Sequence, residues 1–489
     1  MGRRYESLII ALLSAFAGLR VLVYSAAFPV FSQIDEDMHF DLALRYARGQ
    51  VPHSFERLSS ETLIWVVPYA SPEFLQDPQQ LPDHKFPPPL WKQSAEEADA
   101  VAEVTRLEWS KEINWECSQP PLYYSVAGLW WKLGQLIGIN GISAIYWLRF
   151  LNAALISALI WIAYAAARSI SSDNLIFRVG VQLTVACFPQ DVFFVINNDT
   201  LSAVCGGLIF LCAARVLTAT LTTVSLATIT GLSLAAGYLT KITNAPLTVI
   251  VFGTVLAKII WDYRTRWRRG VAAIGALCLT AITPIAFWTA WIRTNFDDLT
   301  GGTGKADLLG WTMKPFSDWW NHPIFSLRGL WLFWSDFAPR FWRGEIMWHG
   351  AQISWPPADI YYSVASLIAL AAATIGLLKN NGVNRLVVTL ALFSFLASVA
   401  FLILVSIAFD FGRCIYPSRA FPYLTAGRLI IGELIPFATL FIYGVSRLLH
   451  PLTDKLIATA IILTVSLPVT SQMLLDSQVF TSEHNWFHR

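Results

Sequence analysis

An all-helical, multispan membrane bundle is the fold class the sequence predicts, and three observations predict it. Apolar stretches of about 18 residues or more, long enough to cross roughly 30 Å of hydrocarbon, recur along nearly the whole chain. Hydrophobic residues make up 55% of the 489 and charged residues only 14%, against about a quarter charged in soluble domains. The formal net charge of +2 leaves no global basic field of the kind that draws a protein to nucleic acid. In lipid each backbone N–H and C=O must be satisfied within its own segment, so helices are the expected spanning elements of one domain over 1–489.

The first span is expected at 7–30. It follows Gly2-Arg3-Arg4, as a signal peptide would, but its length and the many spans behind it predict a retained helix. Further spans are expected at 143–167, 176–195, 200–218, 223–240, 244–262, 270–292, 359–378, 386–408, 427–449 and 456–474, about eleven in all. Residues 120–139 are also apolar, but they begin with Pro120-Pro121 and contain Lys132. If that stretch crossed fully, the basic loop 263–269, with Arg264, Arg266, Arg268 and Arg269, would lie outside, against the enrichment of Lys and Arg in short cytoplasmic loops. If it is interfacial or re-entrant, Arg168 with Arg178, the 263–269 loop, Lys379 with Arg385, and Arg447 with Lys455 all fall inside. The second parity is preferred.

That parity puts two long loops outside. The first, 32–118, holds 16 of the 33 acidic residues and seven basic ones, with an amphipathic helix expected over Met38 to Arg48 and a charged one over Gln93 to Lys111. The second, 293–358, carries eight tryptophans from Trp311 to Trp355 and reads as interfacial helices, the rings forming a headgroup belt or a platform for a lipid chain or sugar ring. Cys187, Cys205, Cys212 and Cys278 fall in apolar segments without metal-ligand spacing and read as core residues, while Cys117 and Cys414 lie in loops, where a disulfide would need an oxidising compartment. His53, His84, His322 and His349 have no paired spacing and read as solvated loop residues. Arg20, inside the first span, either pairs within the bundle or snorkels.

The densest chemistry is Asp35-Glu36-Asp37-Met38-His39, where the chain leaves the first span. Three carboxylates and an imidazole within five residues suit a divalent cation, with Asp35, Asp37 and His39 as ligands. A carboxylate beside the bilayer also suits a general base that takes a proton from an acceptor hydroxyl. The bland alternative is an acidic cap on the helix beginning near Met38, for which one carboxylate suffices. At the return to the membrane, Glu116-Cys117-Ser118-Gln119-Pro120-Pro121-Leu122-Tyr123-Tyr124 adds Glu116 and Gln119 at the same level, with Tyr123 at the interface. Candidate cations outside are Lys241, Arg340, Arg343, Arg413, Arg419 and Arg428. Headgroup contact explains Arg340, Arg343 and Arg419 singly, whereas Lys241 and Arg428 end apolar spans, where an ionisable group needs a partner. Asp199 is that expected partner for Lys241.

The Asp35-Glu36-x-x-His39-Phe40 sequence after the first span, followed by Gln119-Pro120-Pro121-Leu122-Tyr123-Tyr124, resembles the GT-C superfamily of polyprenyl-phosphate-sugar-dependent glycosyltransferases. More narrowly, it is similar to bacterial membrane proteins related to the protein mannosyltransferase and aminoarabinose transferase families. Weaker echoes are Pro189 with Asn198-Asp199, Leu239-Thr240-Lys241, and Gly427-Arg428. The pattern of spans covers almost the full chain, and the specific motifs about thirty residues. Asp37 departs from the related branch, which often has a small residue or proline there.

The resemblance implies a multi-pass protein of a bacterial inner membrane with its site on the external face. It implies an inverting transfer of sugar from an undecaprenyl-type lipid phosphate to a lipid or glycan acceptor, with Asp35 as base or metal-linked carboxylate and Glu36 assisting. Glu116, Gln119, Tyr123, Asp199, Lys241, Arg413 and Arg428 are the expected substrate contacts, and a magnesium or manganese ion is the expected cofactor if there is one. The competing classes are a transporter or lipid flippase, which predicts mid-membrane charges and an internal repeat that the sequence does not display, and a scaffold that docks partners on its acidic loop.

Overall fold

A helix needs about 20 apolar residues to cross the hydrocarbon, and nine helices among the described residues meet that length and composition. The computed structural model describes residues 3–488 except 33, 266, 380–382 and 451, and not the side chains of 3, 4, 383 and 384. Gly2 and Arg266, and the side chains of Arg3 and Arg4, used above in reading the topology, lie outside that description.

The chain is a multispan helical membrane protein. Its first half contains α1 (Arg3–Ala27), α2 (Glu36–Ala47), α3 (Ser60–Tyr69), α4 (Ala95–Trp109), α5 (Leu122–Leu136), α6 (Ile142–Ile170), α7 (Leu175–Ala186), α8 (Asp199–Thr218) and α9 (Val224–Thr240). There follow α10 (Ala245–Asp262), α11 (Trp267–Phe296), α12 (Gly302–Leu308), α13 (Leu327–Arg343), α14 (Pro356–Lys379), α15 (Val383–Ala408), α16 (Leu434–Leu448) and α17 (Asp454–Leu475). The long apolar helices are α1, α6, α8, α10, α11, α14, α15, α16 with its 3-10 lead-in, and α17.

Two expected spans fall short of the length a crossing helix needs, although the second has the expected bounds to within a residue. The 176–195 stretch stops as helix at Ala186, because Pro189 cannot continue it, and resumes as a 3-10 turn at Asp191–Phe194. Helix α9 has 17 residues. The doubtful 120–139 stretch forms the 15-residue α5, whose length of about 22 Å is too short to cross alone. It packs on α2 instead.

Helix α6 lies between α1 and α8, and α9 joins α8 to α11. Small residues set the closest approach. A Cβ on Gly206 of α8 would stand 2.1 Å from the carbonyl oxygen of Gly432, so the 427–433 segment rests directly on α8. Arg20 is buried and donates to Gln472 Oε1 at 2.6 Å and to the Phe188 carbonyl at 2.7 Å. It therefore joins α1 to α17 and does not snorkel.

The two long loops fold back over one end of the bundle. Two short antiparallel pairs interrupt the all-helical pattern: Thr312–Met313 with Phe409–Asp410, and Met347–Trp348 with Ala351–Gln352. The first ties the Trp-rich loop to the segment after α15. Not all of its tryptophans form a belt: Trp342 is fully buried and stacks on Phe188 and Tyr362. His322, expected in solvent, is buried and meets the Pro422 carbonyl at 2.9 Å. Cys117 and Cys414 are both free thiols.

Candidate functional site

Asp35 is the N-cap of α2 and has φ 54°, in the left-handed region that Asp tolerates better than most residues. Its carboxylate makes no capping bond, so the bland reading of an acidic cap does not describe it. Instead Asp35 Oδ2 accepts from Arg428 Nη2 at 3.0 Å. Arg428 also donates from Nε to Glu345 Oε1 at 2.8 Å and stands 3.7 Å from Asp199 Oδ2. That Asp199 oxygen is buried and has no hydrogen bond among the described residues, while the other is paired with Lys241. The expected Lys241–Asp199 pair is therefore present, and Arg428 extends it to Asp35.

Glu36 faces the other way. Arg149 Nε and Nη2 donate to its two oxygens at 2.6 Å each, and the Ser32 and Ile196 N–H groups donate at 2.8 and 2.9 Å. Both side chains are fully buried. With its acceptors engaged and no path to solvent, Glu36 is an anchor between the 28–36 turn, α6 and the 195–198 turn, and not a group in the cleft. This corrects its expected catalytic part.

The metal-ligand grouping also changes. Residues two apart on a helix point about 200° from one another, whereas residues four apart return to one face. Among the described residues Asp35, His39 and Glu116 bring one ligand atom each to within 4.8 Å of one another, and Asp37 is not in that set. Asp37 lines a cavity next to it, and burial, with a contribution from Asp35, pushes its carboxyl up to about 7.

Glu116 reaches His39 because Asn114 is clamped to α2. Its Nδ2 donates to the Met38 carbonyl and to Asp41 Oδ2, each at 3.0 Å, while its Oδ1 accepts from the Glu116 N–H at 2.9 Å. Glu116 then accepts from Lys305 of α12 and, at 2.5 Å, from Gln119 Nε2. Burial would raise the Glu116 pKa, but the charges of Lys305, His39 and Arg428 outweigh it and hold the carboxyl well below its usual range. His39 Nδ1 meets the Tyr124 hydroxyl at 2.8 Å, and burial lowers the imidazole pKa.

Two cavities flank this cluster. One of about 1010 Å³ carries the charged groups Asp35, Asp37, Arg428 and Glu345 in a wall otherwise built of groups such as Trp109, Trp115, Ile34 and Leu75. The other, of about 760 Å³, contains Gln119 and Lys305 at its polar edge and is otherwise lined by groups such as Trp288, Ile292, Trp311, Phe401 and Phe409 from α11, α15 and the loops. The Glu116–Lys305–Gln119 knot thus stands between an apolar groove beside the spans and the larger chamber that contains Asp35.

Some expected contacts lie elsewhere. Tyr123 is 1% exposed and lines neither cavity; Tyr124, one residue on, is the ring that meets His39. Arg413 is exposed on its loop and lines neither cavity. Arg340 and Arg343 are held in ion pairs, Arg340 with Asp336 and Glu345 and Arg343 with Asp359, and do not reach for headgroups. Residues that sequence reasoning did not single out include Arg149, Lys305 and Glu345. Arg149 had a signal, a lone charge within an apolar span, which marks a buried partner. Lys305 and Glu345 had none, since their loop was read only for its tryptophans.

A family model described as a predicted membrane protein (DUF2142) matches residues 19–414. No curated protein sequence matches. Among solved structures, the chain is similar to the Archaeoglobus fulgidus oligosaccharyltransferase complexed with zinc and sulfate, at 11% identity and TM-score 0.45 over 96% of this chain and 53% of that one. It is similar to the arabinofuranosyltransferase AftD from Mycobacteria at 15% identity and TM-score 0.44, over 98% of this chain and 27% of that one. The A. fulgidus oligosaccharyltransferase AglB, with an inhibitory peptide and a dolichol-phosphate, gives 10% identity and TM-score 0.44 over 98% of this chain and 56% of that one. The chain spans about half the length of the oligosaccharyltransferases and about a quarter of AftD.

Proposed function

The chain belongs to the DUF2142 family of predicted membrane proteins, and we propose that it transfers a sugar, with inversion, from a polyprenyl-phosphate carrier to a lipid or glycan acceptor on the external face of a bacterial inner membrane. One observation supports this most: Lys305 and Gln119, in the wall of an apolar groove, both donate to Glu116, which lies within 4.8 Å of the Asp35 carboxylate in the wall of the larger chamber. An amphiphile with a long apolar chain and an anionic linkage has that shape, and an acceptor is left room in the chamber.

The carrier's chain lies along Trp288, Ile292 and Phe401, and its phosphate lies against Lys305. Asp35 takes the proton of the acceptor hydroxyl as the acceptor oxygen bonds to the anomeric carbon. The bond from that carbon to the phosphate oxygen breaks, and the polyprenyl phosphate leaves with the electron pair. A phosphate is a stabilised leaving group, so fixed positive charge and one base supply most of what the step requires. Arg428, which donates to Asp35 Oδ2, holds that carboxylate in the chamber wall. Glu116 holds Lys305 and Gln119 at the groove edge until phosphate competes for the ammonium.

The donor set Asp35, His39 and Glu116, two carboxylates and an imidazole, suits manganese or zinc. Asp35 Oδ1 and His39 Nε2 have no hydrogen bond among the described residues, so the set fits a cation that takes Glu116 from Lys305. Bound there, such an ion would supply electrostatic stabilisation of the leaving phosphate.

The test is transfer from a labelled polyprenyl-phosphate sugar by purified protein. Asp35→Asn is expected to lower the rate by about 10²-fold or more, the contribution of a positioned base, with its melting temperature close to wild type. A folded Asp35→Asn protein with full transfer activity would remove the base and with it the mechanism.

A further inference from the structure

The end of the bundle away from Asp35 contains a third cavity, of about 400 Å³, where α6, α7, α15, α16 and α17 meet. Helix α6 gives its depth: Arg149, which holds Glu36, and Ile170, which lines the cavity, are separated by about 30 Å of helix rise. That is the thickness of the hydrocarbon, so this cavity belongs to the opposite membrane face.

Its wall has one cation and one carboxylate, Arg447 at the end of α16 and Asp454 at the start of α17. Neither makes an ion pair among the described residues, although both face the same space; Arg447 only overlies the Tyr443 ring, at 5.1 Å. The Tyr443 hydroxyl is buried without a hydrogen-bond partner among the described residues. Asn174 uses its Oδ1 to cap α7 through the Phe177 N–H at 2.9 Å, which leaves its amide N–H₂ unused in the same wall. His450 is exposed at the rim. The deeper wall is apolar, formed by Ile170, Ile176, Phe177, Val388 and Ile457.

A separated guanidinium and carboxylate above an apolar wall match a zwitterionic headgroup above acyl chains. An anionic headgroup would leave Asp454 opposed by like charge, and a quaternary ammonium has no N–H to donate to it. The geometry points to a binding site for phosphatidylethanolamine, its phosphate on Arg447, Asn174 and Tyr443 and its primary ammonium on Asp454. The site is independent of the proposed sugar transfer and lies across the membrane from it.

Delipidated full-length protein in detergent, with phosphatidylethanolamine, phosphatidylcholine or phosphatidylglycerol of matched chains added, gives the test by native mass spectrometry. The bound fraction is expected to favour phosphatidylethanolamine by about tenfold, the worth of one charge-assisted hydrogen bond. Arg447→Gln is expected to lose binding of all three lipids, and Asp454→Asn only the preference. Glycerophosphoethanolamine, the headgroup without chains, is expected to bind too weakly to detect. Equal binding of the three lipids overturns the proposal, as do a preference that survives Asp454→Asn in protein with wild-type melting and equal retention of the soluble headgroup. Transfer activity plays no part in the readout, so failure here leaves the sugar-transfer proposal standing.

Discussion

Glu36→Gln separates the anchor from the chemistry more sharply than any substitution in the cleft. The side chain keeps its volume but loses its charge, and one acceptor oxygen becomes a donor. In the native protein that oxygen pair accepts two bonds of 2.6 Å from Arg149 and one each from the Ser32 and Ile196 N–H groups. The amide can satisfy half of them, and it sets its own N–H₂ against a guanidinium or a backbone donor. Arg149 keeps the Ser25, Phe28 and Pro29 carbonyls but stays buried with its charge uncompensated. Breaking one partner of a buried pair costs about 3–5 kcal/mol, and the anchored 195–198 turn leads straight into Asp199. Thermal unfolding in detergent should show a clear loss of stability, with transfer activity falling together with the folded fraction. Glu36→Gln with Arg149→Met should recover much of the stability, because the stranded charge is gone. A single Glu36→Gln variant that melts like wild type and lacks activity would refute this reasoning and return Glu36 to the catalytic group.

Three other outcomes follow from the geometry. Asp37→Asn should raise the melting temperature above pH 7 and change it little below pH 4: a carboxyl shifted from 3.8 to about 7 withholds on the order of 4 kcal/mol once fully ionised, which thermal scans across pH would detect, and a flat difference would contradict it. Lys305→Met removes the largest charge that lowers the Glu116 pKa, so Glu116 should protonate at higher pH and the acid limb of the pH–rate profile should move up; an unmoved limb with unchanged KM for the donor would detach Lys305 from the site. Gly206→Ala should destabilise the protein, since the added methyl meets the Gly432 backbone at 2.1 Å and forces the Arg428-bearing segment off α8; a wild-type melting curve would show that this contact yields freely.

Hydropathy made most of the bundle legible, because a span must satisfy its backbone internally and so announces itself by length and composition alone. The misread piece is one in which a proline lets the chain stop partway: Pro189 ends α7 early. The 15-residue α5 agrees with the preferred reading of 120–139 as a stretch that does not cross fully. At the site, the i, i+4 spacing of Asp35 and His39 and the Lys241–Asp199 pairing were within reach of local pattern. Glu36 was misjudged because adjacent acids look equivalent in sequence, while the helix turns one of them toward α6 and leaves Asp35 at the cleft. Lys305 and Glu345 come to Glu116 and Arg428 from across the fold, and nothing in their own loop's composition points there. The buried Trp342 shows the same limit, since a tryptophan in a surface-reading loop is packed from α13 against Phe188 and Tyr362.

In the proposed mechanism the donor crosses from the apolar groove into the Asp35 chamber at Lys305, with Asp35 ahead of it. A density map of the protein with a non-transferable polyprenyl-phosphate sugar tests that directly. The phosphate is expected on Lys305, the isoprene chain along Trp288 and Phe401, and the sugar in the chamber within hydrogen-bond reach of an acceptor that Asp35 could deprotonate. The donor's own phosphate bound at the Arg447 end, or a sugar that Asp35 cannot reach through its acceptor, would rule this mechanism out.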